Sequence, residues 1–307
     1  MLSQHPLVSI VVASYNSTST IVETLESIKA QTYKNIELII TDDASRDDTV
    51  TVCKKWLAIN GAFFVNSNIL TSNLNTGISP NMNRGIRNSH GEWIKVIAAD
   101  DRLMPNCIDS NVNFINENPD YGIVFSKVVG FGDEEAAKQC VWKDCSKIFN
   151  RFSTYKFKIV LYQQNFLPAS SAFYKKETFD ILGGYDESIP FLEDWPFWVK
   201  ALSLGIKLGF NNDFTVEYRF SPQSISQQSI PNRNPKFVKS SELATQYALN
   251  HLAKLNIFSY VYIKSTYNRL RYNSLLWKLF HSINILNPFY YYNKIVMKEF
   301  NDLLLKT

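Results

Sequence analysis

Residues 92–101 read EWIKVIAADD. Trp93, Ile94, Val96, Ile97 and Ala98 make an apolar run suited to a core strand, and the run ends in two adjacent carboxylates, Asp100 and Asp101. Like charges side by side repel. Solvation at a turn absorbs that repulsion, or a divalent cation between the carboxylates converts it into binding. A second pair, Asp42 and Asp43 in IELIITDDAS, follows another apolar run and fits either an Asx turn that caps a helix or a hydrogen-bond acceptor for a ligand N–H. A third, Glu193 and Asp194 in FLEDWPFW, stands where a carboxylate can cap a helix or take a proton from an attacking hydroxyl.

These residues need elements to carry them, and the first 130 residues alternate strand and helix patterns. LVSIVVAS reads as a strand, IVETLESIKAQ puts Ile21, Leu25 and Ile28 on one helical face, IELIITDD is a second strand and AFFVNSN a third. Ser45 is placed to cap a helix whose apolar face holds Val50, Cys53, Trp56 and Leu57, and Ser79-Pro80 to open another that stops near Gly91. Repeated strand–helix–strand units predict right-handed crossovers and an α/β, doubly wound, mostly parallel sheet with a C-terminal helical appendage. Ligands collect at the carboxyl ends of such strands, and the polar clusters ASYN, TDDAS, NTG and ADD all fall there.

Later segments are read more coarsely. Residues 131–166 are expected to form loop and short helix across the sheet, Asp194 to cap a helix using Trp198, Ala201 and Leu202, and IKLGFN and FTVEYRFS to add two strands. The expected division is a catalytic domain over 1–226, split into a nucleotide-binding half (1–101) and an acceptor-binding half (102–226), then a linker over 227–240 and a tail over 241–307. The whole chain carries +4, whereas the tail alone carries +5 and holds 13 of the 43 aromatic residues. Basic charge beside PFYYYNK predicts an amphipathic tail, suited to a membrane surface, to packing on the catalytic domain, or to a second subunit in a homodimer.

Composition bounds the rest. A 45% hydrophobic, 20% charged chain folds, and the 14% aromatic content suits sugar or lipid surfaces as well as core. The N-terminal apolar run is short and lacks a basic flank, and no stretch reaches the roughly 18 apolar residues of a membrane span. Cys53, Cys107, Cys140 and Cys145 show no CxxC spacing, which fits a reducing cytoplasm.

In this order the motifs VSIVVASYN, ELIITDDAS, NTGISPNMNRGI, GEWIKVIAADD, GGYDE and FLEDWPFW resemble those of the family-2 inverting glycosyltransferases of the GT-A fold, from Leu7 to about Ser226. The resemblance implies transfer of a hexose from a nucleotide sugar, with a UDP-sugar expected, to a saccharide hydroxyl. A lipid-linked acceptor in bacterial surface polysaccharide synthesis is implied, at the cytoplasmic face of the inner membrane. It implies Mg²⁺ or Mn²⁺ at Asp101. Nucleotide contacts are implied at Ala13, Tyr15, Asn16, Asp42, Asn75, Gly77 and Asn83, with Asp43 on the nucleobase, Asp100 near the ribose and Arg219 near the diphosphate. Asp194 is the implied base with Glu193 as its fallback, and Trp195 and Tyr185 are implied acceptor contacts. Many relatives have a basic residue before the asparagine of the third motif; this chain has Met82 there, and Arg84 follows.

Three other functions fit the sequence less well. A nucleotidyltransferase usually needs a Gly-rich, basic loop after the first strand, and ASYNSTST has neither glycine nor lysine. A non-catalytic scaffold of a polysaccharide assembly would have no need of Asp43, Asp101 and Asp194 together. Nucleic-acid binding is disfavoured because the basic charge lies in the tail, not in the sheet-forming region.

Overall fold

Four parallel strands, β1 (Val8–Ser14), β2 (Ile36–Asp42), β3 (Asn66–Thr71) and β4 (Trp93–Ala98), pair in the order β3-β2-β1-β4 in a computed structural model that describes residues 5–133, 145–221, 235–263 and 287–305. Every residue of β2 is buried, the signature of a strand covered on both faces. The covering helices are α1 (Ile21–Lys29), α2 (Thr49–Asn60) and α3 (Ile78–Arg87). Register aligns the strand ends: Ser14 lies opposite Asp42, Ala13 opposite Ala98 and Asp42 opposite Thr71. The polar clusters expected at four strand ends therefore emerge along one edge of the sheet.

The third strand begins later than expected. Gly61–Phe63 is a 3₁₀ turn closed by the Phe64 N–H on the Gly61 carbonyl, and pairing starts where Asn66 meets Glu37. Val65 already donates its N–H to the Ile36 carbonyl at 2.8 Å, so β2 sets the register just before the ladder begins.

Further strands complete the sheet: β5 (Arg102–Leu103), β6 (Tyr121–Gly132), β7 (Phe173–Lys175) and β8 (Lys207–Phe220), giving β3-β2-β1-β4-β7-β6-β8-β5. β7 runs antiparallel to β4 and β6, and β5 antiparallel to β8. The two strands expected over IKLGFN and FTVEYRFS are one, because β6 pairs in parallel along both and absorbs the mismatch in register shifts at Ser126–Val128. The remaining helices are α4 (Cys107–Glu117), α5 (Ser146–Arg151), α6 (Thr154–Leu161), α7 (Lys176–Leu182), α8 (Asp194–Ser203), α9 (Pro235–Ala253) and α10 (Pro288–Leu305).

Three expected helix caps are corrected. Helix α2 starts after Asp48, while the Ser45 hydroxyl donates to Asp42. Helix α3 starts after Gly77, while the Ser79 hydroxyl donates to the Ile189 carbonyl. Glu193, not Asp194, occupies the cap position of α8, and it makes no side-chain cap bond. Ser45 turns back to Asp42 three residues before it, whereas Ser79 finds its partner in a loop 110 residues away.

The chain divides into two compact units. One contains the sheet, with described residues 5–133, 167–221 and 235–241; the other contains 145–166, 242–263 and 287–305. Residues 145–166, expected to lie across the sheet, thus group with the C-terminal helices. Phe157 meets Phe166 at 5.4 Å, Phe166 meets Phe300 at 5.2 Å, and Lys156 pairs with Glu299 at 2.6 Å. Buried Ala248, Leu252 and Val296 complete that core. The expected linker is partly helical, since α9 begins at Pro235.

Candidate active site

The loops leaving β1 and β2 are tied together by Asp42. Its buried carboxylate accepts from the Ser14 hydroxyl (2.9 Å), the Ser45 N–H (2.9 Å) and the Ser45 hydroxyl (2.5 Å). Asn16 spans the same loops, accepting from the Arg46 N–H on Oδ1 and donating its own N–H to Ser45 Oγ, each at 2.8 Å. Asn16 and Ala44 both adopt left-handed backbone, with φ of 51° and 65°. That costs a non-glycine residue about 1–2 kcal/mol and persists because the neighbouring bonds over-determine it. The resulting cavity of about 360 Å³ is lined by Tyr15, Ala44, Ser45, Arg46 and Ser72–Asn75. Tyr15 and Asn75, both expected at the nucleotide, are thus brought to one pocket. Ala13 lies behind it, its carbonyl accepting from the Ala99 N–H.

Asp43 is placed differently from expectation. It is buried and absent from the pocket lining; Oδ2 accepts from the Thr76 and Gly77 N–H groups at 2.9 and 2.8 Å, and Oδ1 accepts from the Thr76 hydroxyl at 2.7 Å. Arg84 lies 3.6 Å from Oδ1 and donates to the Asp42 carbonyl, so it braces the end of β2. Asp43 therefore holds the loop that walls the pocket. Asn83, also expected at the nucleotide, is fully buried; it donates to the Tyr185 carbonyl and accepts the Tyr185 N–H, both at 2.9 Å. Gly77 too is buried, with its N–H already given to Asp43.

At the end of β4, Asp101 is buried and Asp100 half-buried. Burial and the Asp100 charge push the Asp101 carboxyl up to about 8, against the opposing pull of the Arg219 N–H, Lys95 and the Arg219 side chain. Asp100 is raised as well, chiefly by burial. Arg219 brackets both: its N–H donates to Asp101 Oδ1 and its Nε to the Asp100 carbonyl, each at 2.8 Å. Its guanidinium also pairs with Glu23, as does that of Arg102 at 2.7 Å, and the two stack on Phe131 at 4.4 and 3.8 Å.

Two adjacent carboxyls, both raised by burial, are a fitting donor set for Mg²⁺ or Mn²⁺, which usually takes one or two protein carboxylates and completes its shell with water and phosphate oxygens. No cluster of three or more His, Cys, Asp or Glu ligands occurs among the described residues, so an all-protein cage is not what these residues form.

Two contributors escaped the sequence reading. Glu23 orients both arginines from the first turn of α1, and only topology brings α1 beside β8. Lys95 is fully buried within β4, donating to the Ser170, Val96 and Ala172 carbonyls, and burial lowers its amine to about 8. Its signal was visible: a lysine inside an otherwise apolar strand.

The third acidic pair opens α8. Asp194 is the buried first helical residue, and burial together with the Asp194 charge pushes Glu193 up to about 8. The expected acceptor contacts beside it are corrected. Trp195 and Tyr185 are only 6% and 4% exposed. Tyr185 packs its ring 4.8 Å from that of Phe197 and shares a 3.1 Å hydroxyl hydrogen bond with Tyr174. Both side chains are buried among the core residues of this unit.

Comparison with known proteins agrees with this geometry. The model described as Glycosyl transferase family 2 matches residues 9–182. The uncharacterized glycosyltransferase RP339 of Rickettsia prowazekii is 29% identical over 218 residues, which cover 70% of this chain but only 64% of that protein's length. WfaP of Escherichia coli, a UDP-Glc:alpha-D-GlcNAc-diphosphoundecaprenol beta-1,3-glucosyltransferase, is 28% identical over 266 residues, covering 83% of this chain and 97% of that one. Among solved structures, S. aureus TarS 1–349 in complex with UDP-GlcNAc superimposes with a TM-score of 0.63 at 16% identity, covering 94% of this chain and 87% of its own. A Pyrobaculum calidifontis mannosyltransferase in complex with GDP-Man and Mn²⁺ gives 0.52 at 16%, covering 95% and 86%. At such identities the structural likeness is one of fold.

Proposed function

Since the chain belongs to glycosyl transferase family 2, whose model matches residues 9–182 of its 307, we propose that it moves a hexose from a UDP-sugar to a hydroxyl of a lipid-linked saccharide, with inversion. The observation that carries this reading is the alignment of strand ends. It sets the pocket of Tyr15 and Asn75 and the pair Asp100–Asp101 along one edge of the sheet. The choice of donor and acceptor classes leans on WfaP, whose name specifies UDP-Glc and a diphosphoundecaprenol-linked sugar.

In this mechanism Tyr15 and Asn75 hold the base, while Asp101, with Asp100 beside it, holds Mg²⁺ or Mn²⁺. Such an ion would neutralise charge on the departing diphosphate. Arg219 keeps the two carboxylates in place and adds positive charge on the diphosphate side. The acceptor oxygen bonds to the anomeric carbon as the carbon–diphosphate bond breaks on the opposite face, and the hydroxyl proton passes to Asp194. Glu193, pushed up to about 8 by burial and the Asp194 charge, holds its proton at neutral pH and takes no part as a base there.

The test is a panel of UDP-, GDP- and dTDP-sugars with a GlcNAc-diphospho-lipid acceptor, with and without Mn²⁺. Release of UDP from a UDP-sugar and a glycosylated lipid are expected. Turnover of no sugar nucleotide under any condition would favour a scaffold role instead.

A lipid-linked acceptor places the enzyme at the cytoplasmic membrane face. None of the described helices is long and apolar enough to cross a membrane. Instead, Ile257, Phe258, Tyr260, Tyr291 and Ile295 are exposed in the C-terminal unit, with Lys254, Lys294 and Lys298 in the same segments. Lys264, Arg269, Arg271 and Lys278, also expected to contribute, lie outside the described residues. The protein should therefore co-sediment with anionic vesicles at low salt and be released at high salt. Serine at Ile257, Phe258 and Ile295 should abolish co-sedimentation; a wild-type protein that ignores the vesicles removes the membrane reading in favour of a homodimer contact.

A further inference from the structure

The segment Tyr185–Pro190, which leads into Glu193 and Asp194, hangs on the start of α3. The Ile78 and Ser79 N–H groups donate to the Pro190 carbonyl at 3.0 and 3.4 Å, and the Ser79 hydroxyl donates to the Ile189 carbonyl at 2.7 Å. One turn further on, Asn83 brackets Tyr185 through both its N–H and its carbonyl and reaches Glu187 Oε1 at 2.8 Å. The Ser79, Asn83 and Tyr185 groups in these bonds are withdrawn from water, so each of those bonds omitted would leave a buried polar group unpaired.

Two glycines make the close approach geometrically feasible. Gly77 has a φ of +97°, and a Cβ there would stand 2.9 Å from Pro190 Cβ and 3.1 Å from its carbonyl oxygen. Gly184 has a φ of +84°, and its Cβ would stand 2.9 Å from Asn83 Oδ1. Any side chain at either position would push the loop off the helix.

The other end of the same contact chain reaches the pocket. Gly77 and Thr76 are held by Asp43, and the residues just before them, Ser72–Asn75, form one wall of the cavity. A ligand that orders this wall orders Thr76 and Gly77, which continue directly into the N–H groups that hold Pro190. The start of α3 is thereby occupied by protein, and its role is mechanical.

We propose that Gly77, Ser79 and Asn83 are positioning residues that couple occupancy of the nucleotide pocket to placement of the Glu193–Asp194 carboxylates, an inference that rests on the glycosyl-transfer reading above. None of the three touches the reacting atoms. They act by fixing the loop from which α8 starts.

The experiment uses full-length wild type, Ser79→Ala and Gly77→Ala with UDP and Mn²⁺ as the probe. Calorimetry measures UDP affinity, amide hydrogen exchange follows residues 185–193, and turnover of the active UDP-sugar gives kcat and KM. In wild type, saturating UDP–Mn²⁺ should slow exchange over 185–193 about threefold or more. Ser79→Ala should lose that protection, lose about three- to tenfold in kcat, as expected for one buried hydrogen bond, and keep donor KM within about threefold. Linkage requires UDP affinity to change by no more than the protection factor lost. Gly77→Ala should show the larger effect; if it does not fold, Ser79→Ala decides.

Exchange over 185–193 that ignores bound UDP–Mn²⁺, or a Ser79→Ala protein that keeps both protection and kcat, overturns the inference. Failure of UDP, GDP and dTDP to bind at all overturns the donor reading instead. The coupling is then judged in ligand-free protein, where Asp43→Asn should speed exchange over 185–193 and an unchanged rate overturns it.

Discussion

Asp101→Asn should reduce transfer by about a thousandfold, the scale of several kcal/mol of lost charge stabilisation at the leaving group, and should leave folding intact. The amide still offers an oxygen to the Arg219 N–H that Asp101 now accepts at 2.8 Å, so no buried donor is orphaned. With its carboxyl pushed up to about 8, Asp101 already holds a proton at neutral pH, so the neutral amide changes little in charge and the melting temperature should stay level. Transfer assays, calorimetry of UDP with and without Mn²⁺, and thermal denaturation check the three parts. Unaltered metal-dependent affinity for UDP would remove Asp101 from the cation site. The same carboxyl sets a pH dependence: pushed up to about 8, it holds a proton that a cation must displace, so cation affinity of the nucleotide-free protein should climb as pH rises through that value.

Asp194→Asn should leave UDP affinity unchanged and lower transfer by about a hundred- to ten-thousandfold, because the amide keeps the shape of the side chain and accepts no proton. Glu193→Gln is the matched control. Burial and the Asp194 charge raise Glu193 to about 8, so at neutral pH it already carries a proton, and its amide should retain most of the turnover. Above that value Glu193 ionises and adds negative charge beside Asp194, which strengthens Asp194 as a base. The wild-type kcat should accordingly gain a further rise toward pH 8 that Glu193→Gln lacks. A Glu193→Gln protein that is dead beside an active Asp194→Asn would exchange the two roles.

The two pairs differ in how plainly they could be read. Asp100–Asp101 follows a six-residue strand that is apolar but for Lys95, and the change from apolar to acidic marks the strand end. Glu193–Asp194 precedes a helix, where acids are common for local reasons, and the expected cap at Asp194 is not what forms.

What the sequence determined by itself is whatever depends on neighbours along the chain. Apolar runs with their periods pointed to β1 to β4 and to the helices between them, and polar residues after those strands marked one edge of the sheet. Tertiary structure alone decided which of those polar side chains line the pocket. Asp43, Ser79, Asn83 and Tyr185 share the residue types of a binding site, yet their partners lie 33, 110 and 102 residues away, and they spend their hydrogen bonds holding loops together. Glu23 meets Arg219 across 196 residues, and residues 145–166 join the C-terminal helices across more than 75. Local periodicity tells a side chain which face of its own element it occupies; it carries no information about what another element, brought alongside by the fold, will offer it there.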